Sequence, residues 1–358
     1  MKKHLSNLDW GIIGSAVLLS ISGLVIIKSV APDLFFHQLI SFALGLLAYL
    51  LLAKIDFRVF QRLKYLIYFF CLLALSLTFV FGAVTRGSVR WLEVGLFTLQ
   101  PSELTKPFLV LVFASFFFKG PVVNFSSLIA NLFLLFIPVL LIFIQPDLGS
   151  SVVVVFFWVV MIFESGLPKK MVIYLLSLVS LALPLGWVIL KNYQKERIMT
   201  FINPFSDPLG TGYNMIQAMI AVGSGQVFGR GLGRGPQSHL HFLPERHTDF
   251  IFASLSEELG FLGGLFIIVV YGFLFWSILK VAFNSREKFP KLVSLGVLGM
   301  IFFQFFVNVG MNLGLVPITG VTLPLVSYGG SSLLATMISL GIVQNIATYN
   351  KGKNVFLE

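Results

Sequence analysis

The sequence contains little charge and almost no cysteine. Only 11% of its 358 residues are charged, with 15 Asp and Glu against 25 Lys and Arg. So few charges cannot cover a soluble fold of this length, whereas 57% hydrophobic residues and a mean hydropathy of +0.93 are typical of a polytopic membrane protein. Cys71 is the single cysteine, so an intrachain disulfide is excluded.

Two further absences narrow the class of protein. Integral membrane chains carry Lys and Arg mainly as topology signals, so the net charge of +10 does not indicate a nucleic-acid partner, and we expect none. No small-residue cleavage site follows the first apolar run, which is also too long for a signal-peptide core. We therefore expect this run to remain as a membrane helix.

Ten stretches are long and apolar enough to predict membrane helices, each of which needs about 20 mainly apolar residues. They are Trp10–Val30, Phe35–Ala53, Tyr65–Ala83, Pro101–Lys119, Asn124–Ile144, Leu148–Glu164, Met171–Leu190, Phe250–Lys280, Leu292–Asn312 and Gly330–Tyr349. The predicted fold is an all-α polytopic membrane protein, with residues 1–358 forming a single integral membrane domain.

Basic residues in the short loops predict the orientation of these helices. Most of them collect on one side, as Lys54 and Lys280 illustrate, so both termini are expected to be cytoplasmic. A large loop of about residues 191–249, between the seventh and eighth helices, and a shorter one at 84–100 then face outward. The large loop is too long for a plain connector, and Tyr213–Val222 within it predicts a short helix.

The stretch from 239 to 264 combines polar residues with the start of an apolar helix. Asp249 lies at the junction, before the span predicted to begin at Phe250. Two interpretations stay open at this point. The carboxylate would satisfy free N–H groups as a helix cap, or it would act as a general base on the outer face, beside Arg246 and His247.

Several charged residues fall inside or beside predicted membrane helices, where an unpaired charge is costly. Glu257 and Glu258 are expected to be structural, either paired with a basic residue or hydrogen-bonded to backbone. Glu103 and Lys106 lie at i, i+3 on one helix face, which favours an internal ion pair lining a cavity over an anion site at the lysine. Asp147 lies in a tight turn and is expected to cap the next helix.

Residues 223–235 are rich in glycine and contain Arg234. They lack the G-x-x-x-x-G-K-[ST] pattern and follow no predicted strand, so a nucleotide site is excluded. A flexible loop is the favoured interpretation, and an anion-binding backbone nest is the alternative. The nearby histidines, His239, His241 and His247, match no zinc spacing, so no tightly bound metal is expected.

Several long motifs follow one another along the chain. They are Arg90-Trp91 followed by QPSELTK, then QPDLGS, GTGYNMIQAMIAVGSGQVFGRGLGRG, FLPERHTDFIFASLSEELGFLGG and NVGMNLGLVPITGVTLPLVSYGGSS. In these motifs the chain resembles the SEDS family of bacterial membrane proteins, most closely its cell-elongation members. The resemblance implies ten membrane helices and a peptidoglycan glycosyltransferase that polymerises lipid II. It also implies that Asp249 is the catalytic base, which activates the acceptor 4-hydroxyl.

The same resemblance implies roles for other residues. Basic groups near the outer face would stabilise the leaving undecaprenyl pyrophosphate, and the candidates are Arg90, Lys106, Arg197, Arg234, Arg246 and His247. The residues expected to shape the cavity are Trp91, Glu103, Asp147, Glu257 and Glu258. A divalent cation, Mg²⁺ or Mn²⁺, would accompany the pyrophosphate rather than bind tightly to the protein.

The implied location is the bacterial inner membrane, with the active site facing outward. The implied partners are lipid II, membrane lipids, a class B penicillin-binding protein that cross-links the new glycan, and other elongation-complex proteins. Two other functions fit the charged residues. A lipid II flippase would show a matched pair of broken helices in two halves of the chain, and a non-catalytic scaffold would use Asp249 only as a cap. The enzyme is the preferred hypothesis.

Overall fold

The computed structural model describes residues 8–85, 88–94, 97–119, 122, 124–189 and 192–355, and it is almost entirely helical. Its helices are α1 (Trp10–Val30), α2 (Phe35–Leu52), α3 (Phe57–Arg62), α4 (Lys64–Phe81), α5 (Pro101–Lys119), α6 (Phe125–Ile144), α7 (Leu148–Glu164), α8 (Lys169–Ile189), α9 (Asn192–Ile202), α10 (Tyr213–Ser224), α11 (Pro236–His239), α12 (Ile251–Phe283), α13 (Lys288–Asn312) and α14 (Gly330–Val355). The strands are β1 (Ala83–Thr85), β2 (Ser88–Val94) and β3 (Phe97–Leu99).

Each of the ten predicted membrane segments contains a helix. Eight helices in the described part of the chain are long and apolar enough to cross a membrane. α7 is shorter, at 17 residues, and α8 has 21. Leu190, the predicted end of the seventh span, and Lys191, the predicted start of the large loop, lie outside the described residues. The multi-pass helical fold is confirmed, whereas membrane crossing by α7 and α8 stays a prediction.

The helices divide into a central and an outer group. Most of α5, α13 and α14 is buried inside the bundle, whereas fewer than a quarter of the residues of α2, α4 and α6 are buried. Such exposed apolar faces suit contact with lipid. The central packing is close: a Cβ added at Gly341 of α14 would lie only 2.7 Å from the Tyr49 carbonyl oxygen of α2. The charged and amide side chains described below are therefore fixed by a tight interior.

A small antiparallel sheet before α5 departs from the all-α prediction. β2 is the middle strand, pairing with β1 through Val84 opposite Val89, and with β3 on its other side. Successive strands are separated by two residues that include a glycine, and the strands contain β-branched and aromatic residues, which is typical of hairpins. The sheet places Arg90 and Trp91 on its middle strand.

The predicted outer segment is folded over most of its length. α9, α10 and α11 lie within it, and α10 covers the short helix expected at Tyr213–Val222. α10 packs extensively on α12. The segment therefore lies against the helix that follows Asp249, while the side of the membrane that it faces stays a prediction.

Candidate active site

Asp249 lies at the end of a turn that leads into α12. The Phe250 N–H closes this turn by donating to the Glu245 carbonyl at 3.2 Å. Phe250, not Asp249, occupies the N-cap position of α12, and it makes no side-chain capping bond. Asn312 of α13 caps the helix instead, because its Oδ1 accepts from the Ala253 N–H at 3.0 Å. Of the two interpretations left open for Asp249, the one that placed it at the N-cap position of α12 therefore does not hold.

The backbone carbonyls of residues 246–249 are all hydrogen-bonded by groups outside the turn. Ser254 Oγ donates to the Arg246 carbonyl at 3.1 Å, and the Tyr328 N–H donates to the His247 carbonyl at 2.8 Å. Ser327 Oγ donates to the Thr248 carbonyl at 2.7 Å. The Asp249 carbonyl accepts from Nδ2 of Asn308 at 2.9 Å and from Nδ2 of Asn312 at 3.1 Å. These donors come from α12, α13 and the segment 313–329. Three parts of the chain thus fix the backbone that carries the half-buried Asp249 side chain.

Sequence reasoning missed Asn308 and Asn312 as members of this site. The available signal was a pair of asparagines at i, i+4, which share one face of a helix that is otherwise largely apolar. An unpaired amide inside a membrane is costly, so such a pair indicates a specific partner. Only the fold could show that the partner is the Asp249 carbonyl.

Gly320, in the segment between α13 and α14, lies beside the Asp249 carboxylate. A Cβ added at Gly320 would be 3.6 Å from Asp249 Oδ2, and the φ of +74° at Gly320 also favours glycine. The same segment lies against the start of α7, where a Cβ at Gly149 would be 2.9 Å from the Thr319 carbonyl oxygen. Residues 319–321 therefore connect the surroundings of Asp249 to α7.

The ion pair expected in α5 is present near this connection. Lys106 Nζ lies 2.6 Å from Glu103 Oε1, and Lys106 is only 1% exposed. Ser150 of α7 donates through Oγ to the same carboxylate oxygen at 3.4 Å. Glu103 thus neutralises the buried ammonium group and links α5 to the start of α7.

Asp147 caps α7, as expected from its position in a turn. Its Oδ1 accepts from the Ser150 N–H at 3.1 Å. Its Oδ2 accepts from Gln100 Nε2 at 2.9 Å and from Ser102 Oγ at 2.8 Å. Asp147 therefore also joins α7 to the residues that begin α5, which the capping pattern alone did not predict.

α12 is broken at Gly260, where φ is 70° and ψ is −166°, so the prediction of one continuous helix is wrong here. The glycine-rich segment 225–235 supplies the hydrogen bonds that the break removes. On one side of the break, the Arg230 N–H donates to the Glu257 carbonyl at 3.0 Å and the Gly231 N–H donates to the Glu258 carbonyl at 2.9 Å. On the other side, the Phe261 N–H donates to the Gln226 carbonyl at 2.8 Å and the Leu262 N–H donates to the Val227 carbonyl at 3.2 Å. Because buried backbone groups require partners, this segment is a docked element rather than the expected flexible loop.

The carboxylates of Glu257 and Glu258 are buried and structural, as expected. Glu257 accepts from the N–H and Oγ of Ser238 at 3.0 and 2.6 Å. Glu258 Oε1 accepts from the Gly233 N–H at 3.1 Å and lies 2.8 Å from His239 Nε2. Both side chains therefore hold the docked segment and α11 on the first part of α12.

Two of the candidate anion ligands share the turn with Asp249. Arg246 Nε donates to the Val30 carbonyl at 3.0 Å, and partial burial lowers the pKa of its guanidinium. The His247 ring packs edge-on against Tyr328, with centroids 5.6 Å apart, and burial raises the pKa of the Tyr328 phenol. A basic side chain and an imidazole thus precede Asp249 in the same turn.

The other candidate ligands lie on different elements. Arg197 lines a cavity of ≈ 220 Å³ together with Thr200, Thr211 and Ile318. Ile318 belongs to the segment between α13 and α14 that lies beside Asp249. Arg234 is exposed on the docked glycine-rich segment, and the half-buried Arg90 lies on β2. Arg246 and His247 therefore share the turn with Asp249, whereas the other basic candidates lie on other elements.

Fold and site together define a multi-pass helical membrane protein that carries a carboxylate at the start of a broken membrane helix. Residues 6–352 match the profile of the FtsW/RodA/SpoVE family, described as "Cell cycle protein". The chain belongs to this family, which is the SEDS family that its motifs resemble.

Curated relatives agree with this assignment. The chain is 40% identical to the peptidoglycan glycosyltransferase MrdB of Escherichia coli K12, over 86% of this chain and 84% of MrdB. It is 37% identical to the stage V sporulation protein E of Bacillus subtilis, over 88% of this chain and 87% of that protein.

Solved structures share the fold. A chain from a study of polymerization and crosslinking by a peptidoglycan synthase complex superposes with a TM-score of 0.83 at 34% identity, covering 96% of this chain and 98% of the other. The rod shape determining protein RodA of Thermus thermophilus gives a TM-score of 0.71 at 31% identity, covering 95% and 96%. These values confirm the architecture.

Proposed function

We propose that this chain polymerises lipid II into glycan strands during cell elongation, with Asp249 as the general base. Peptidoglycan glycosyl transfer as the class of activity follows from the family and from relatives named for it. The observation that carries the assignment of Asp249 is its half-buried carboxylate on a turn whose carbonyls are all fixed, because a base acts only when it is positioned.

In the proposed step, the 4-hydroxyl oxygen of an acceptor GlcNAc attacks the anomeric carbon of a MurNAc in lipid II. A new C–O bond forms as the bond from that carbon to the pyrophosphate oxygen breaks, and undecaprenyl pyrophosphate leaves with the bonding electron pair. The hydroxyl proton passes to the Asp249 carboxylate. General-base catalysis of this kind typically contributes about 10²- to 10⁴-fold in rate.

The leaving pyrophosphate gains negative charge as this bond breaks, which cationic side chains stabilise. Arg246 and His247 are the proposed contacts nearest to Asp249, while Arg90, Lys106, Arg197 and Arg234 are further candidates. In the described residues, no group of three or more His, Cys, Asp or Glu side chains is arranged to hold a metal ion. We therefore propose that any Mg²⁺ or Mn²⁺ enters with the pyrophosphate and is held mainly by it.

The proposed cellular setting is the bacterial inner membrane, with both termini cytoplasmic and Asp249 facing outward. The proposed partner is a class B penicillin-binding protein, which would cross-link the glycan as it forms. This proposal is supported by the similarity to a chain studied in a peptidoglycan synthase complex. Other elongation-complex proteins and membrane lipids are the remaining expected partners.

A flippase would need two matched broken helices. Among the described helices, the break lies in α12, at Gly260, where the backbone is non-helical. Its exposed backbone groups are also occupied by the chain's own glycine-rich segment rather than left for a passing substrate. These observations favour the enzyme over the transporter.

The first test is lipid II polymerisation by purified wild-type protein and Asp249→Asn, each with and without the class B partner. We expect Asp249→Asn to lose at least about 100-fold in rate, because an amide does not accept the proton. Asp56→Asn is the matched control, since Asp56 caps α3 from an exposed turn and an asparagine can cap equally well.

Thermal unfolding would establish that all three proteins are folded. Glycan made at the wild-type rate by folded Asp249→Asn would reject the base assignment. Translocation of lipid II in liposomes without polymerisation by the wild-type complex would reject the glycosyltransferase and support the flippase.

A further inference from the structure

We propose that Asn308 and Asn312 of α13 are positioning residues, which set the orientation of the Asp249 carboxylate through its backbone. The proposal rests on the proposed role of Asp249 as general base. The proposal gives neither side chain a contact with the substrate. Both act on the peptide group of the residue that carries the carboxylate.

The geometry joins two buried donors to one acceptor. Nδ2 of Asn308 lies 2.9 Å from the Asp249 carbonyl oxygen, and Nδ2 of Asn312 lies 3.1 Å from it. Both asparagines are 0% exposed. Two donors arriving from one rigid helix fix the plane of this peptide, and the Cα that bears the carboxylate is bonded directly to its carbonyl carbon. Rotation about the bond between Cα and the carbonyl carbon of Asp249 is therefore restricted, and this Cα carries the side chain.

Each asparagine has a second bond that extends this control. Asn308 Nδ2 also donates to the Val321 carbonyl at 2.8 Å, and so fixes the segment in which Gly320 lies beside the Asp249 carboxylate. Asn312 Oδ1 accepts from the Ala253 N–H at 3.0 Å and so fixes the first turn of α12. The pair thus connects the backbone of Asp249, the residue beside its carboxylate, and the helix that follows it.

Loss of one donor is expected to affect the chemical step more than substrate binding. A shift of about 1 Å in a reacting group can lower a rate by about 10²-fold. The side chains proposed to bind lipid II are other residues of the site, and substitution of the asparagines leaves them unchanged. The effect should therefore appear in kcat, with KM for lipid II little changed.

Substitution by aspartate removes the donor group of each side chain while keeping its shape. Asn312→Asp keeps the side-chain shape and the oxygen that accepts from Ala253, but its ionised form has no proton to donate to the Asp249 carbonyl or to the Asn308 carbonyl, whose oxygen lies 2.7 Å from Nδ2 of Asn312. Asn308→Asp removes the second donor in the same way, together with the bond from Asn308 to the Val321 carbonyl. Neither change alters Asp249 itself.

Asn345 of α14 offers a matched control at a different part of the bundle. Its Nδ2 donates to the Ala53 carbonyl at 2.8 Å and its Oδ1 accepts from the Phe57 N–H at 3.3 Å, so it repeats the double role of Asn312. Asn345→Asp therefore imposes the same chemical change on a backbone carbonyl that leads into α3 rather than into the site.

The experiment measures kcat and KM for lipid II polymerisation by the full chain in complex with its class B partner, together with thermal unfolding. We expect Asn308→Asp and Asn312→Asp each to lower kcat at least about tenfold with KM within about twofold of wild type. Asn345→Asp should retain kcat within about twofold. If an aspartate variant does not fold, Asn308→Ser or Asn312→Ser takes its place with the same expectation.

Wild-type kcat in folded variants at both positions would overturn the proposal. An equal loss in Asn345→Asp would also overturn it, because the effect would then be general to amides that bridge backbone groups in this bundle. Asp249→Asn in the same assay separates the two hypotheses. If that variant is inactive while the asparagine variants are normal, only the positioning role fails, and if it is fully active, the base assignment fails.

Discussion

Glu103 and Lys106 show how the interior of this bundle contains full charges. Their carboxylate and ammonium groups lie 2.6 Å apart, and Lys106 is almost completely buried. Removing one partner of a buried pair leaves an uncompensated charge, which typically costs about 3–5 kcal/mol. Removing both partners together leaves no such charge. The two changes should therefore be strongly non-additive.

We expect Lys106→Met to lower the free energy of unfolding by about 3–5 kcal/mol, whereas Glu103→Gln/Lys106→Met loses much less. Thermal or denaturant unfolding of the purified protein measures both. Lys291→Met is the matched control, because Lys291 pairs with Glu164 where both side chains are about 30% exposed, and such pairs contribute at most about 1 kcal/mol. Equal losses at the two lysines would contradict this account.

Single residues differ in how far the sequence could predict them. The ion pair and the Asp147 cap were predictable because the interacting residues are three apart in the sequence, so helix geometry alone brings them together. Asn308 and Asn312 were not assigned, because their partner is about sixty positions away in the sequence. The Asp249 assignment came from a family motif, and residue type alone left it open.

Among the elements, α12 and the glycine-rich segment form one structure from two distant parts of the sequence. Gly260 has φ of 70° and ψ of −166°, a region that only glycine adopts readily. A Cβ added there would lie 2.3 Å from the Gly229 N atom. The close approach and the backbone conformation both require glycine at this position.

We expect Gly260→Ala to destabilise the protein by at least about 1–3 kcal/mol from backbone strain alone, and to release the segment 225–235 from α12. Thermal unfolding and limited proteolysis of that segment measure the two effects. Gly272→Ala is the control in the same helix, since a Cβ there meets nothing within 4 Å and alanine favours a helix. Unchanged proteolysis in Gly260→Ala would show that the segment does not depend on the break.

The helices that are defined by the length of an apolar stretch were predictable. The elements that depend on hydrogen bonds between separate segments were missed. The ends of the apolar spans were predicted to within four residues, except that α14 continues six residues beyond Tyr349, to Val355. A glycine inside an apolar run is compatible with a continuous helix, so nothing local to Gly260 predicted that another segment would replace its hydrogen bonds. The β1–β3 sheet was missed for a related reason, since it lies in a short connection that charge counting treated only as an outer loop.

At the scale of the whole molecule, the orientation in the membrane remains to be measured. The positive charges predict that the segment containing Ser206 faces outward and the loop containing Asn284 faces the cytoplasm. Both residues are exposed, whereas the single native cysteine, Cys71, is buried. The chain is therefore suited to cysteine labelling without further changes.

We expect an impermeant maleimide to label Ser206→Cys in intact spheroplasts and to label Asn284→Cys only after permeabilisation. The wild-type protein, in which only Cys71 is present, is the control and should stay unlabelled. Labelling of Asn284→Cys in intact spheroplasts, with Ser206→Cys protected, would invert the proposed topology and place Asp249 on the cytoplasmic side.

The break in α12 also sets the depth of the site relative to the lipid. An unbroken helix of 33 residues would rise about 50 Å, well beyond the ~30 Å hydrocarbon core, and would have to tilt or thicken the bilayer. Residues 261–283 alone rise about 35 Å, which nearly matches that thickness. The shorter part before Gly260 can then lie at the level of the lipid head groups, and the carboxylates of Glu257 and Glu258 are stabilised there by their protein hydrogen bonds. The break at Gly260 therefore removes a hydrophobic mismatch, and under the proposed function it would hold Asp249 at the height where a substrate anchored by a polyprenyl tail presents its sugars.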